Sequence, residues 1–185
     1  MADKEELLDV LTPAGLRSGL IRPKKQAHQQ GLWHATVHLW VCDPQRGLLC
    51  QKRAEDKQMN PGLWDFSAAG HIGAGESLLE AAVRELEEET ALSIDQSELR
   101  YLGAHISENH YPPALIDREY NQIFGYCGKI DFGTLVPQRE EVSELRFVRP
   151  KQLLSEWQEQ TNNWVGHHPN YYKKLYDFVK RCEAR

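Results

Sequence analysis

The chain lacks the features by which proteins hold a nucleic-acid polymer or a membrane. Its 27 acidic residues outnumber its 22 basic ones, and no run of Lys and Arg forms a tail, so there is no basic field for a polynucleotide. No apolar run approaches the roughly 18 residues of a membrane span. The acidic start MADKEELLDV has no signal-peptide core. We therefore expect a cytoplasmic protein whose partners include neither a nucleic-acid polymer nor a membrane.

Cysteine is scarce and irregularly spaced. The four cysteines form no CxxC pair and lie mostly in apolar segments: Cys42, Cys50, Cys127 and Cys182. This spacing disfavours a zinc site, and the apolar surroundings favour buried thiols. We expect all four to be reduced, with no disulfide framework.

Repeats and low-complexity linkers are also absent, and 185 residues suit one domain. We expect a single domain over 1–185, with a core at about 32–160, an N-terminal hairpin at 5–24 and a C-terminal helix at 170–183. Alternating apolar residues predict strands at 35–41, 48–52, 63–67, 99–106, 119–130 and 144–148. Helices are predicted at 77–90, capped by Ser77, and at 151–158 and 171–182. This order favours an α/β (α+β) fold.

One helix carries an unusual excess of a single charge behind a glycine-rich turn. From Gly70 to Leu92 the sequence reads GHIGAGESLLEAAVRELEEETAL, in which Arg84 is the only cation. At about 100° per residue, Glu85, Glu88 and Glu89 share one helix face. Like charges at this spacing destabilise a helix by a few tenths of a kcal/mol per pair. A bound divalent cation explains the cluster better, because Mg²⁺ and Mn²⁺ prefer carboxylate oxygens.

The spacing of these residues resembles the Nudix hydrolase signature. The matching positions are Gly70, Glu76, Arg84, Glu85, Leu86, Glu88, Glu89 and Leu92. Ala91 replaces the final glycine, which leaves the helix end open because alanine enters the left-handed conformation only at a cost. The resemblance implies an α/β/α sandwich with a mixed β-sheet, to which the hairpin is an N-terminal addition. It also implies cleavage of a diphosphate linkage in a small molecule, with Mg²⁺ or Mn²⁺ as cofactor.

The resemblance assigns roles within this motif. The expected metal ligands are Glu85, Glu88, Glu89 and the backbone carbonyl of Gly70, and the expected catalytic residues are Glu85, Glu88 and Arg84. Gly70, Gly73 and Gly75 would let a diphosphate approach the backbone. Arg84 would orient a carboxylate by a forked hydrogen bond, and Glu76 would brace the loop. Glu80 and Glu87 are expected to be solvated.

A narrower resemblance extends beyond the motif. His34 in GLWHATVHLWV and the run PGLWDFSAAGH at 61–71 resemble the Nudix subgroup related to isopentenyl diphosphate isomerase. This implies an additional metal site at His34, His71 and Glu119, although each histidine is equally consistent with a hydrogen-bonded core residue. The isomerase carries a catalytic cysteine where this chain has Ala69. A methyl group cannot transfer a proton, so we expect no isomerase activity.

The substrate is the least constrained feature. A loop at 108–118 containing Tyr111 and an aromatic segment from Trp164 to Tyr172 would stack on a base, cover an isoprenoid tail, or only pack the core. Our first expectation is a hydrolase of a nucleoside diphosphate derivative. The alternatives are an isopentenyl diphosphate isomerase or isoprenoid diphosphate hydrolase, and a catalytically silent diphosphate-binding module. The oligomeric state is not indicated.

Overall fold

The computed structural model describes residues 5–112, 115–158 and 163–184. Within these ranges the chain forms nine strands and four α-helices, besides two short 3-10 helices at Gln96–Glu98 and Phe132–Thr134. In chain order they are β1 (Leu7–Leu11), β2 (Arg17–Pro23), α1 (Lys24–Gln30), β3 (Trp33–Asp43), β4 (Gly47–Arg53), β5 (Trp64–Asp65), β6 (Ala68–His71), α2 (Leu78–Thr90), β7 (Arg100–Tyr111), β8 (Leu115–Cys127), β9 (Val142–Val148), α3 (Pro150–Gln158) and α4 (Pro169–Glu183).

A mixed sheet of seven strands lies at the centre. Its order is β5-β4-β3-β8-β7, with β6 paired to β3 and β9 paired to β4. Strands β3 and β8 run parallel, in register from Trp33 opposite Arg118 to Cys42 opposite Cys127. The other pairs in this sheet are antiparallel. Strands β1 and β2 form a separate antiparallel hairpin, so the expected mixed sheet and N-terminal hairpin are both confirmed.

Strand β3 is buried on both faces because its alternate side chains face different helices. Val37 and Leu39 belong to one core, which includes Leu86 of α2. Trp40 belongs to a second core, which includes Phe178 of α4. The helices therefore cover the two faces of the sheet, which confirms the expected α/β/α sandwich.

The hairpin packs against the glycine-rich turn that leads into α2. The Ala74 amide donates a hydrogen bond to the Leu7 carbonyl at 2.8 Å. The Gly75 amide donates to Asp9 Oδ2 at 3.0 Å. These bonds occupy backbone donors of a turn that has few side chains to hold it, so the N-terminal addition fixes the turn's shape.

Both ends of α2 follow from local chemistry. Ser77 caps its N-terminus as predicted: Ser77 Oγ accepts from the Glu80 amide at 3.3 Å, and Glu80 Oε2 accepts from the Ser77 amide at 3.0 Å. At the C-terminus Ala91 adopts the left-handed conformation, with φ 56° and ψ 16°, and its amide donates to the Glu87 carbonyl. The helix therefore ends where a glycine would end it, although alanine stands there.

The prediction of four reduced thiols was wrong. Cys127 at the end of β8 and Cys182 in the last turn of α4 form a disulfide, with their Cα atoms 5.8 Å apart. Cys42 and Cys50 are free and buried. The bonded pair is separated by 55 residues, and only the packing of α4 on the sheet brings the two cysteines together, so local spacing gave no sign of the bond.

Other elements also differ from the expectation. Helix α1, KKQAHQQ, has no apolar face to reveal it, and β6 continues the sheet where we expected only a turn. The prediction of a loop at 108–118 was wrong for the residues that the structure describes there. Strand β7 extends to Tyr111, and β8 begins at Leu115. Pro113 and Ala114 lie outside the described residues. In the described part of the chain, no helix combines the length and the apolar character needed to cross a membrane.

The left-handed residue at the end of α2 generates a prediction. Ala91→Gly should raise the free energy of unfolding by roughly 0.5–1 kcal/mol, because glycine adopts positive φ without the Cβ clash that alanine carries there. Chemical denaturation of both proteins measures the difference. The matched control is Glu87→Gly in the last turns of the same helix, which should lose about 1 kcal/mol. A loss of stability in Ala91→Gly would contradict the helix end described here.

Candidate functional site

A cavity of about 820 Å³ is lined by residues of the sheet, of α1 and α2, and of the loops at 56–60 and 165–168. One end is lined by carboxylates and imidazoles, and the other end by further histidines and Phe66. Cationic side chains lie among the carboxylates of the first end. The residues used below that line this first end are Lys24, His28, Arg53, Lys57, Gly70, His71, Arg84, Glu85, Glu88, Glu89, Tyr111, Asp117 and Glu119.

Arg84 connects the glycine-rich turn to the helix carboxylates. Its Nε and Nη2 donate to the two oxygens of Glu76 at 2.8 and 2.9 Å, a bidentate fork. Its Nη1 donates to Glu85 Oε1 at 2.8 Å and to Glu88 Oε2 at 3.1 Å, and Nη2 also reaches the His71 carbonyl at 3.0 Å. Hydrogen bonding to Glu76 raises the pKa of Arg84, so the guanidinium is always charged.

Gly70 makes room for one of these carboxylates. A Cβ at position 70 would lie 2.0–2.2 Å from the carboxyl atoms of Glu85. No side chain fits there, so the glycine allows Glu85 to lie directly against β6. Gly75 has φ +80° and faces open space; it is needed for the backbone conformation alone.

Glu89 is buried and the Glu85 side chain is nearly so, and both hold protons more tightly than exposed carboxylates do. Burial raises the pKa of Glu89 to about 8, and the neighbouring Glu85 adds to this shift. Burial likewise raises the pKa of Glu85 to about 7, against the opposing effect of Arg84. Glu89 Oε2 accepts hydrogen bonds from the Ala69 amide at 3.1 Å and from Gln51 Nε2 at 3.0 Å.

Each helix carboxylate keeps one free oxygen. Arg84 holds Glu85 and Glu88 through one oxygen each, and Ala69 and Gln51 hold Glu89 through Oε2. The remaining oxygens accept no hydrogen bond from the residues described by the structure. A carboxylate fixed by one oxygen and free at the other suits a cation ligand. The three side chains thus fit the role expected for them, with Gly70 beside Glu85.

A second cluster lies across the cavity. His28, His34 and His71 place one ring nitrogen each within 4.8 Å of one another, and His34 stands in the same relation to Asp117 and Glu119. Parallel pairing of β3 with β8 places His34 directly opposite Glu119. The structure therefore brings together the predicted His34, His71 and Glu119, and adds His28 and Asp117.

The candidate ligand atoms of this cluster lie close together without forming hydrogen bonds: His28 Nε2 and His34 Nε2 are each 3.5 Å from Asp117 Oδ1. His28 Nε2, His34 Nε2, His71 Nε2 and Asp117 Oδ1 are buried and, among the described residues, have no hydrogen bond. His34 Nδ1 lies 2.9 Å from the Leu32 carbonyl, so it carries the proton and leaves Nε2 as a lone pair. Burial lowers the pKa of His34 and of His71, which keeps both rings neutral. Buried polar atoms that make no hydrogen bond are costly unless an ion binds them, so the residues fit a divalent cation.

Glu119 and the basic residues complete the electrostatics of the cavity. Burial, and then Asp117, raise the pKa of Glu119 to about 8. Lys24, Arg53 and Lys57 also line the cavity. Acidic residues that attract metal ions and basic residues that attract phosphates thus face the same space.

The predicted substrate residues are only partly brought together. Gly70 and Tyr111 line the cavity, whereas Gly73, Gly75 and Trp164 are not part of its wall. Trp164 instead donates from Nε1 to Glu156 at 2.9 Å and lies beside Arg146. The sequence did not reveal His28 because α1 has no apolar pattern. It did not reveal Asp117 because only the folding of β8 beside β3 brings that side chain within 3.5 Å of His34. The DRE run at 117–119 could have drawn attention to Asp117.

Comparisons with known proteins point to one family. The family model described as NUDIX domain matches residues 32–169. The chain is 32% identical over 186 residues to Nudix hydrolase 3 of Arabidopsis thaliana, covering 97% of this chain but 24% of that protein. It is 39% identical over 108 residues to isopentenyl-diphosphate Delta-isomerase of Serratia proteamaculans, covering 58% of each. The chain thus spans about a quarter of the plant relative and little over half of the bacterial one.

A solved structure shows the same fold over nearly the whole chain. The crystal structure of a protein from Deinococcus radiodurans superposes with a TM-score of 0.68 at 18% identity, covering 96% of this chain and 99% of that one. At this identity the likeness concerns the fold alone.

The buried carboxylate on α2 generates a prediction. Glu89→Gln keeps an oxygen for Ala69 and Gln51 but removes the charge, so it should weaken divalent-metal binding while leaving the fold intact. The folded-state pKa of about 8 lies above the ordinary 4.5, so the native state binds the extra proton and the wild type loses stability as pH rises between these values. With excess chelator, Glu89→Gln should therefore have a higher melting temperature than the wild type at about pH 9, and the same melting temperature near pH 5.

Thermal unfolding at both pH values and metal titration by calorimetry measure these effects. Glu87→Gln, an exposed glutamate on the same helix, is the matched control and should change neither. Equal metal affinity in wild type and Glu89→Gln would remove Glu89 from the set of ligands.

Proposed function

Because this chain belongs to the Nudix family, we propose that it is a divalent-metal-dependent pyrophosphohydrolase that cleaves a phosphoanhydride bond in a small diphosphate compound. One observation carries the proposal: fixed carboxylates with free oxygens on α2 face a cavity that also holds Lys24, Arg53 and Lys57. A silent binding module would gain little from burying Glu85 and Glu89, whose raised pKa values record an electrostatic cost. The presence of two separate groups of candidate cation ligands also favours an enzyme over a binding module.

Two groups of residues would hold the ions. Glu85, Glu88, Glu89 and the Gly70 carbonyl form one group, whose oxygen donors suit Mg²⁺ or Mn²⁺. His28, His34, His71, Asp117 and Glu119 form the other, in which imidazole nitrogens favour Mn²⁺ over Mg²⁺. Bound ions supply charge that polarises the phosphoanhydride and offsets the negative charge of its oxygens.

The chain's own residues then bind and orient the reactants. Lys24, Arg53 and Lys57 attract the diphosphate oxygens at the cavity wall. Arg84 is a positioning residue, because its planar donors fix Glu76, Glu85 and Glu88 at once. Glu88 is the half-exposed member of this set, and its Oε1 is free to take the proton of an attacking water.

The alternative activity is isomerisation of isopentenyl diphosphate, which the similarity to the bacterial isomerase and the histidine cluster favour. Ala69 argues against it. Its side chain offers no group that gives or takes a proton at the position where the isomerases carry a cysteine. A hydrolase of a nucleoside diphosphate derivative therefore remains our first assignment, and an isoprenoid diphosphate hydrolase our second.

A panel of diphosphate compounds tests the proposed function. With Mg²⁺ or Mn²⁺ the purified protein should release a phosphate-containing product from at least one of them, read by phosphate assay and product mass, and excess chelator should abolish release. Isopentenyl and dimethylallyl diphosphate should not interconvert. Full turnover in excess chelator would contradict the metal-dependent mechanism. Interconversion of the two isoprenoid diphosphates would show that the protein is an isomerase. Saturable binding without any product would support the silent module.

The Arg84 contacts generate a separate prediction. Arg84→Lys keeps the charge but loses the planar fork, so it should reduce kcat by at least roughly tenfold, about 1.4 kcal/mol. The matched control is Arg181→Lys in the exposed last turn of α4, which should leave kcat unchanged. Equal kcat values for wild type and Arg84→Lys at saturating metal would show that Arg84 supplies charge alone.

A further inference from the structure

Three buried side chains form a hydrogen-bonded relay at the far end of the cavity. Trp40 Nε1 donates to the Tyr171 hydroxyl oxygen at 2.9 Å, and the same hydroxyl lies 2.9 Å from His38 Nδ1. Trp40 and Tyr171 are each 1% exposed, and His38 is 7% exposed. The relay joins β3 to the first turn of α4.

The relay determines which nitrogen of His38 carries a proton. Indole nitrogen can only donate, so the Tyr171 oxygen accepts from Trp40. Burial raises the pKa of Tyr171 well above its ordinary value, which keeps its proton in place. That buried O–H needs an acceptor, and His38 Nδ1 is the one within reach among the described residues. His38 Nδ1 is therefore a lone pair, and Nε2 carries the hydrogen.

The Nε2–H of His38 has no partner among the residues that the structure describes, and His38 lines the cavity. Burial lowers the pKa of His38 well below its ordinary value, so the ring is a neutral donor. His34 and His38 are four residues apart on β3, about 13 Å at 3.3 Å per residue. This distance leaves room for a chemical group beyond a diphosphate bound at the first end.

The surroundings of His38 are polar and aromatic. Phe66 lies 4.6 Å from it between ring centroids, and His167 lies 6.3 Å from it. His167 Nε2 is held by Asp65 Oδ1 at 2.9 Å, and His105 also lines this end. A hydrocarbon chain placed here would contact rings and leave a buried N–H without an acceptor, which is unfavourable.

We propose that His38 is a specificity-determining residue whose Nε2–H donates a hydrogen bond to a hydroxyl or carbonyl oxygen of an uncharged polar group carried by the substrate beyond its diphosphate. The inference rests on the proposed function and narrows it, because it favours a sugar or heterocycle over an isoprenoid chain. Tyr171 and Trp40 act through His38 and are positioning residues.

The proton position can be measured without a substrate. Long-range ¹H–¹⁵N spectra of ¹⁵N-histidine-labelled protein report the tautomer of each ring, and His38→Gln identifies the His38 signals by their loss. His38 should be the Nε2–H tautomer in the wild type and should lose this single preference in Tyr171→Phe. Thermal unfolding confirms that each variant is folded. An Nδ1–H tautomer in the wild type would overturn the inference.

The recognition itself is tested by calorimetry with three probes: inorganic diphosphate, ADP-ribose and isopentenyl diphosphate. A Glu88→Gln background with Mg²⁺ slows turnover, and inorganic diphosphate is the reference for each variant. ADP-ribose should bind more tightly than isopentenyl diphosphate. His38→Phe should lower the affinity ratio of ADP-ribose to inorganic diphosphate about tenfold, the effect of one hydrogen bond. His38→Gln, which keeps an N–H near Nε2, should recover most of the ratio.

The outcomes separate the two proposals. An unchanged ratio in His38→Phe, or isopentenyl diphosphate binding at least as tightly as ADP-ribose, would overturn the role of His38 and leave the hydrolase proposal standing. Failure of inorganic diphosphate to bind at all to the wild-type protein with Mg²⁺ would overturn the proposed function and this inference with it.

Discussion

One guanidinium group joins the parts of the site that the chain supplies separately. The donors of Arg84 reach the end of β6, the glycine-rich turn and two positions on α2. Because the group is planar and permanently charged, these distances cannot vary independently. The absent side chain of Gly70 complements it, since Glu85 could not otherwise lie against β6. This part of the cavity wall therefore depends on the Arg84 guanidinium and on the absence of a side chain at Gly70.

The sequence predicted those features whose causes are local. The Ser77 cap lies three residues before Glu80, and the alternation in β3 marks a strand with two buried faces, so both were found. The helix end at Ala91 could not be decided, because its left-handed conformation opposes the residue's own preference. The Cys127–Cys182 disulfide was missed because its cause is not local: the residues near each cysteine give no indication of a partner 55 residues away.

The candidate site likewise contains residues that local spacing predicts and residues that only the folded chain brings together. Glu85, Glu88 and Glu89 could be assigned from one helix face, because helical spacing alone places them together. The histidine cluster needs α1, β3, β6 and β8 to meet, and only the three members implied by the resemblance to the isomerase subgroup were anticipated. His28 and Asp117 are not among them. His38 shows the limit most clearly, since its donor atom is set by Tyr171, a residue 133 positions further along the chain.

The position of His28 bears on how fragments of this protein are chosen. The segment that matches the family model begins at residue 32 and stops at 169. A fragment cut at these limits would omit Lys24 and His28, the hairpin that holds the glycine-rich turn, and nearly all of α4 with Tyr171. The family model thus covers only part of the chain, whereas the cavity is also lined by Lys24 and His28, which lie before the matched segment.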